Sequence, residues 1–264
     1  DLYVRVEGFQ LKLIPLTDCT CRGFENNADG VMYVTDSIIR GVDFGIAGFG
    51  NGVRNEGGTM KVSNCVIYGL TQEHTYVNGI VQADEAGGVT YAYNNTVFDC
   101  YIGIKQEVGT LVAKNNLVQS CSDGYDGPFD AASDFNISDI AADAPNATYT
   151  TAAQTVKFRN AAAGDFHLSA LDDIARDAGT DLAADSDLSV STDIDAQNRP
   201  IGGGYDIGAD EACLPVFRSV GPGAASSLAS GTGNDLTVSG LTVTFSSAVA
   251  QRIGVGDVIE YDYN

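Results

Sequence analysis

The sequence predicts an all-β solenoid over most of its length, followed by a small C-terminal β-strand module. Three observations predict it. Short segments opening on Asn or Asp recur at intervals of 18 to 31 residues. A Gly-led strand precedes most of them. The composition favours turns and strands over helices: the 35 acidic residues divide into 27 Asp and 8 Glu, and Asp is a poor helix former and a good turn former.

The elements follow in order. Five segments superimpose: Asp18-Cys19-Thr20-Cys21-Arg22-Gly23, Asp36-Ser37-Ile38-Ile39-Arg40-Gly41, Asn64-Cys65-Val66-Ile67-Tyr68-Gly69, Asn95-Thr96-Val97-Phe98-Asp99-Cys100 and Asn116-Leu117-Val118-Gln119-Ser120-Cys121. Strands beginning Gly30-Val31, Gly58-Thr59, Gly88-Val89 and Gly109-Thr110 lead into the last four. Before Asn95 and Asn116 stands one extra residue, Asn94 and Asn115, which leaves a bulge or a shifted register open. Period-two alternation marks strands with one face inward. A coil of such strands cannot bury its inner face alone, whereas coils stacked at ~4.8 Å can. The third position of each segment is the expected inner column, with Ile38, Val66, Val97 and Val118 in line.

On this reading residues 1–140 are solenoid coils and 141–212 are terminal coils and a cap over the solenoid end. Residues 213–223, with Cys213, Pro215 and Pro222, form a linker. Residues 224–264 are a β-rich module with strands at Leu236–Ser239, Leu241–Phe245 and Val255–Tyr261, and a Ser239-Gly240 turn. Such a module is small for an independent core. Both chain ends fall inside strand-like runs, as in a piece of a longer protein. Docking of the C-terminal strands on another copy would give a head-to-tail array, because heterologous contacts that do not close propagate.

The repeat resembles the right-handed parallel β-helix coils of secreted and surface bacterial proteins, the pectate-lyase-like superfamily. A second stretch is more specific: Gly164-Asp165-Phe166-His167-Leu168, Ala175-Arg176-Asp177-Ala178-Gly179, Thr192-Asp193-Ile194-Asp195, Arg199-Pro200, and Tyr205-Asp206-Ile207-Gly208-Ala209-Asp210-Glu211. It is similar to the terminal segment of large repetitive β-helix surface proteins of the choice-of-anchor type. The resemblance covers residues 1–212 and implies a right-handed parallel β-helix in an extracellular or cell-surface setting. It implies no reaction, since the fold hosts lyases, hydrolases, esterases and inert adhesins.

A formal net charge of −21 argues against nucleic acid and anionic membranes. The apolar residues are too scattered for a membrane span. Cations, glycans and other proteins remain as partners. Six Cys without a CxxC pair, and only two His, argue against a structural zinc site. Cys100 and Cys121 hold the same repeat position, so stacking brings them within disulfide range; a disulfide and a pair of buried thiols are both compatible with that.

Residues 42–57 and 70–87 read as insertions projecting as loops, where binding residues commonly sit. They offer Arg54, Glu56, Glu73, His74, Tyr76, Asp84 and Glu85, of which Arg54, His74, Tyr76, Asp84 and Glu85, with Lys105, are the candidate ligand-binding residues. A lyase would ask Arg54 or Lys105 to act as base beside Asp84 and Glu85, but no tight motif demands it. A Ser-His-Asp site has only His74 or His167 to use. Asp193 and Asp195 alternate as calcium loops begin, without the Gly and bidentate Glu of an EF-hand; the competing reading is a turn in which Arg199 pairs with Asp193, Asp195 or Asp206. Calcium is the one cofactor suggested. Asn94, Asn136 and Asn146 open N-glycosylation patterns. The leading expectation is a non-catalytic structural or adhesive module, with a polysaccharide lyase or a passive glycan binder on the same scaffold as alternatives.

Overall fold

Each turn of the chain contributes three short strands. In the computed structural model, which describes residues 3–14, 20–27, 29–41, 49–71, 76–83, 87–146, 152–212, 236–239 and 242–245, five coils stack in this way. The first holds β1 (Tyr3–Glu7), β2 (Gln10–Lys12) and β3 (Thr20–Asn26), and the second β4 (Val31–Thr35), β5 (Ile38–Arg40) and β6 (Phe49–Asn55). The third holds β7 (Thr59–Ser63), β8 (Val66–Tyr68) and β9 (Asn78–Gln82). The fourth holds β10 (Val89–Tyr93), β11 (Thr96–Phe98) and β12 (Ile102–Gln106), and the fifth β13 (Thr110–Lys114), β14 (Leu117–Gln119) and β15 (Asp123–Asp126). Every third strand pairs parallel, which builds three sheets, β1-β4-β7-β10-β13, β2-β5-β8-β11-β14 and β3-β6-β9-β12-β15; β16 (Ile137–Ser138) extends the second. The chain is a parallel β-helix, and no α-helix occurs among the described residues.

The core confirms the stacking and corrects its register. The pairing sets Ile39 beside Ile67, Ile67 beside Val97 and Val97 beside Val118, and all four are fully buried in one interior cluster. Ile38 and Val66 belong instead to the outward column that continues to Thr96 and Leu117. The expected column was therefore one residue out in its first two members. The corner explains why. Asp36, Asn64, Asn94 and Asn115 are the equivalent residues, all left-handed with φ between 52° and 54°, a conformation Asn and Asp tolerate. In the Asn-Asn pairs it is the first Asn that turns the chain. The first superimposed segment also moves: Cys21 lies on β3 in the third sheet. The true first copy is Gly8-Phe9-Gln10-Leu11-Lys12, with Gly8 (φ 70°) in the corner.

The residue after each corner forms a ladder inside the solenoid. Asn95 Oδ1 accepts from Cys65 N at 3.0 Å, Asn116 Oδ1 from Asn95 N at 3.1 Å, Asn136 Oδ1 from Asn116 N at 3.0 Å, and Asn146 Oδ1 from Asn136 N at 2.7 Å. In return Asn95, Asn116 and Asn136 donate Nδ2 to Val62 O, Ala92 O and Ala113 O at 3.0, 2.7 and 2.8 Å. Each amide thus satisfies a backbone donor at the corner and ties it to a strand carbonyl of the preceding coil, as buried backbone groups require.

The third sheet was not expected. Residues 42–57 and 70–87 do not simply project as loops: they contain β6 and β9, and β9 is buried throughout. Asn and Gly disguise it, being depleted in ordinary strands. The glycines have a packing reason. Gly23, Gly52, Gly79, Gly103 and Gly124 stand at one register position, and a Cβ on Gly79 would lie 2.6 Å from Gly103 O and 2.7 Å from Val97 Cγ1. Gly79→Ala is expected to cost ~1–3 kcal/mol, the usual penalty of overpacking a well-filled interior. Urea titration checks it, and a loss below ~0.5 kcal/mol, the scale of an innocuous surface change, would remove the close-approach argument.

The end of the solenoid is closed by residues 128–146. Phe129 and Ala144 pack on the interior cluster, and Asp130 N and Asp134 N donate to Leu111 O and Ala113 O. Residues 156–212, expected as an end cap, lie along the flank instead. They include the antiparallel pair β17 (Phe158–Asn160) and β18 (Asp165–Leu168). Phe166 and Ala209 pack on Val66; Leu168 and Ile207 pack with Leu117 and Ile137; Leu182, Leu188 and Val190 pack with Tyr93 and Val112. The physical reason is the apolar outward column of the second sheet, which must be covered. The corner residues hold this strap: Asn64 Nδ2 donates to Thr192 O, Asn94 Nδ2 to Asp206 O, and Asn115 exchanges bonds with Thr180 through Nδ2 to O and N to Oδ1.

The chain divides into two units, Asp1–Ala212 and Cys213–Asn264. In the second, β19 (Leu236–Ser239) and β20 (Thr242–Phe245) pair antiparallel, with Leu236 opposite Phe245 and Ser239 opposite Thr242. The linker 213–223 and the strand expected at Val255–Tyr261 lie outside the described residues.

Candidate functional site

Strand β18 alternates: Phe166 and Leu168 are buried, so Asp165 and His167 project to the other side. There they meet the turn that carries Asp195. That turn is shaped by Asp193, whose Oδ1 accepts from Asp195 N at 3.0 Å and Gln197 N at 2.8 Å, and whose Oδ2 accepts from Glu211 N at 3.0 Å. The third contributor, Asp210, is 5 % exposed and accepts Leu168 N on Oδ2 at 2.7 Å. The imidazole of His167 bridges two carboxylates, with Nδ1 2.5 Å from Asp165 Oδ1 and Nε2 2.8 Å from Asp195 Oδ2. A cleft of roughly 280 Å³ opens beside them, lined by Phe9, Asp36, Ile38 and Val66 from the solenoid and by His167, Asp195 and Asp210 from the strap.

The electrostatics follow from this geometry. Burial opposes a charge on His167, but the hydrogen bonds to Asp165 and Asp195 outweigh it and raise its pKa. Hydrogen bonding to His167 lowers that of Asp165. Burial pushes Asp210 up to about 6. Around the cluster the strap is locked by a fully buried ion pair: Arg199 Nη1 lies 2.9 Å from Glu211 Oε2, and both side chains have no exposure. Arg199 therefore pairs with Glu211, and not with Asp193, Asp195 or Asp206 as the sequence suggested. Its other donors go to the carbonyls of Thr192, Asp206 and Gly208.

Asp206 yields a pH prediction. Burial pushes it up to about 7, against the favourable bonds from Asp177 N and Ala212 N. An unfolded Asp titrates near ~3.9, so the folded chain binds this proton more tightly than the unfolded chain does. The stabilisation is complete below pH ~4 and is lost as pH rises through the folded value. Repulsion within a chain of net charge −21 acts in the same direction. Chelator-treated protein should melt at a higher temperature at pH 5 than at pH 8, and a flat or inverted profile would contradict this reading.

The residues singled out from the sequence are not gathered here. Arg54 and Lys105 lie on the third sheet, both in register with Val81 between them, two strand spacings apart. Arg54 is 6 % exposed and bonds Glu56, and Lys105 lies 3.2 Å from both Glu107 and Asp126. Tyr76 is 51 % exposed. His74, Asp84 and Glu85 lie outside the described residues. Of the calcium candidates, Asp195 belongs to the cluster, whereas the oxygens of Asp193 are occupied by backbone N–H groups. Cys100 and Cys121 do stack at one position, as buried free thiols. Burial and mutual contact hold the Cys121 thiol well above its ordinary pKa. Asn94 and Asn136 are fully buried and hydrogen-bonded, so neither presents a surface glycosylation acceptor in the folded chain.

Sequence reasoning missed the cluster because its members are far apart in the chain and 27 Asp hide any particular three. The usable signal was Asp165-Phe166-His167, a carboxylate and an imidazole on one face of a strand. Comparison of the chain with protein-family models, curated proteins and solved structures finds no match.

Proposed function

We propose that this chain is a non-catalytic structural or adhesive module of an extracellular surface protein, possessing a β-solenoid whose role is to hold shape and present its flanks. The observation that supports it best is the use of polar side chains. The asparagine ladder satisfies the corners, the outer asparagines clasp the strap, and Asp172, Asp177, Asp193, Asp206 and Glu211 all accept backbone N–H groups. Side chains of the types that do chemistry are here committed to rigidity. The extracellular setting rests on the resemblance read from the motifs of residues 164–211 in the sequence alone. Head-to-tail association through the C-terminal strands belongs to the same proposal.

A second reading, passive glycan binding, is favoured by one face. On the outside of the first sheet Arg5, Tyr33, Lys61 and Tyr91 stand in register, with the Lys61 ammonium 5.3 Å from the Tyr33 ring and 5.6 Å from that of Tyr91. Aromatic side chains among polar groups, with Asp185 and Asp187 of the strap bordering them, suit neutral sugars. Incubation with polyuronates and neutral glycans separates the readings. A structural module gives neither retention nor turnover, a binder gives retention alone, and accumulation of unsaturated product would overturn the non-catalytic assignment. Light scattering on the eluting protein tests assembly, and a strictly monomeric particle at high concentration rules out the array.

A further inference from the structure

We propose that His167, Asp195 and Asp210 form a binding site for a divalent transition cation of the zinc class. The ligand atoms of these three residues lie within 4.8 Å of one another. Around a tetrahedral zinc ion with bonds of ~2.0–2.1 Å they would be ~3.3 Å apart, so the widest pair closes by up to ~1.5 Å and the Nε2–Asp195 pair opens slightly. The Nε2 to Asp195 Oδ2 separation, 2.8 Å, is already short; the metal takes the place of the proton between them.

Two features set this cluster apart from an ordinary group of acids. The first is Asp210. It is 5 % exposed and borders the cleft; its Oδ2 is held by Leu168 N, and its Oδ1 has no hydrogen-bond partner among the described residues. Its carboxylate borders the cleft although the residue is otherwise buried, so a cation entering the cleft reaches an acid already held in place by the backbone. The second is Asp165. Its 2.5 Å contact keeps a proton on Nδ1, so that loss of the Nε2 proton to an incoming metal leaves Nε2 as the donor, the carboxylate–histidine arrangement that orients metal-binding imidazoles.

The donor set chooses the metal class. Calcium and magnesium take oxygen ligands, and a nitrogen donor beside two carboxylates suits zinc and its neighbours. Calcium at Asp193 and Asp195, the sequence expectation, meets a further obstacle in the three backbone N–H groups already bonded to Asp193. Scarcity of Cys and His pairs argues against a zinc finger but does not bear on a site with one imidazole and two carboxylates. The cleft leaves room for a water as fourth ligand. A bound ion would join three separate stretches of the strap, at residues 167, 195 and 210, and would tighten it on the solenoid.

The test uses the full chain, stripped with chelator and dialysed. Equilibrium dialysis and thermal melting are run with zinc, with calcium and with magnesium, on the parent and on Asp195→Asn, His167→Gln and His74→Ala. Asp195 is exposed and, among the described residues, its side chain bonds only His167, so Asp195→Asn is expected to keep the fold. The proposal expects one zinc per chain, a raised melting temperature in zinc, and at least a tenfold weaker affinity in Asp195→Asn and His167→Gln, with His74→Ala unchanged. No saturable zinc binding at 100 µM, equal binding by the parent and Asp195→Asn, or a larger melting shift in calcium than in zinc overturns it.

Discussion

Asn116→Ala should lower the stability of the first unit by at least ~1–3 kcal/mol, the cost of a buried group left unpaired. The group is Asn95 N–H, which loses Asn116 Oδ1, while Ala92 C=O loses the added donor Asn116 Nδ2. Water cannot take over, because Asn95, Asn116 and Ala92 are fully buried. Against a typical total of ~5–15 kcal/mol, such a loss is a large fraction. Serine at the same site supplies a control drawn from the chain itself. At the equivalent position Ser37 Oγ accepts Phe9 N at 3.2 Å, the same accepting task, and donates to Thr35 O of its own coil at 2.7 Å. Asn116→Ser should therefore retain part of what Asn116→Ala loses. Urea unfolding followed by circular dichroism measures both, and equal, small losses would show that the ladder contributes little.

Arg199→Met is expected to cost ~3–5 kcal/mol, because removing one partner of a buried pair strands the other charge. Glu211 would keep its bonds from Ile201 N and Asp206 N but lose the one cationic partner it has among the described residues, and the carbonyls of Thr192, Asp206 and Gly208 would each lose one donor while keeping that of Asn64 or Asn94. The damage should be local. Residues 190–212 are expected to exchange their amide hydrogens faster, while Ile67, Val97 and Val118 in the core column stay protected. The double change Arg199→Met with Glu211→Gln should recover part of the loss, since no charge is then left buried. Uniform loss of protection across the coils would instead mean that strap and solenoid unfold as one unit.

Both effects fall on residues whose importance the sequence showed only dimly. Asn116 was visible as a corner residue, but the Asn94-Asn95 and Asn115-Asn116 pairs hid which Asn turns and which bonds inward. That choice is made by the left-handed corner and by the carbonyls of the neighbouring coil, and neither is local. Arg199 was matched with the acids near it in the chain, whereas the folded strap brings Glu211 to it. The third sheet escaped notice because a strand centred on glycine has no apolar alternation of its own; x-Gly-apolar, repeated in Asn51-Gly52-Val53, Asn78-Gly79-Ile80 and Ile102-Gly103-Ile104, was the available sign.

By itself the sequence determined that this chain stacks coils: strands of alternating residues, cut by Asn and Asp at a repeating interval and preceded by matching Gly-led strands, favour a shared stack over two packed sheets. It determined the strands that begin after Gly30, Gly58, Gly88 and Gly109, and the equivalence of Cys100 and Cys121. Only the tertiary structure decided the register, the third sheet, the course of residues 156–212 along the flank, and the meeting of His167, Asp195 and Asp210. The physical reason is range. Periodicity and turn chemistry act between neighbours in the chain and can be read there. A hydrogen bond between coils, or three ligands from three stretches of a strap, depends on packing that no short window of sequence contains.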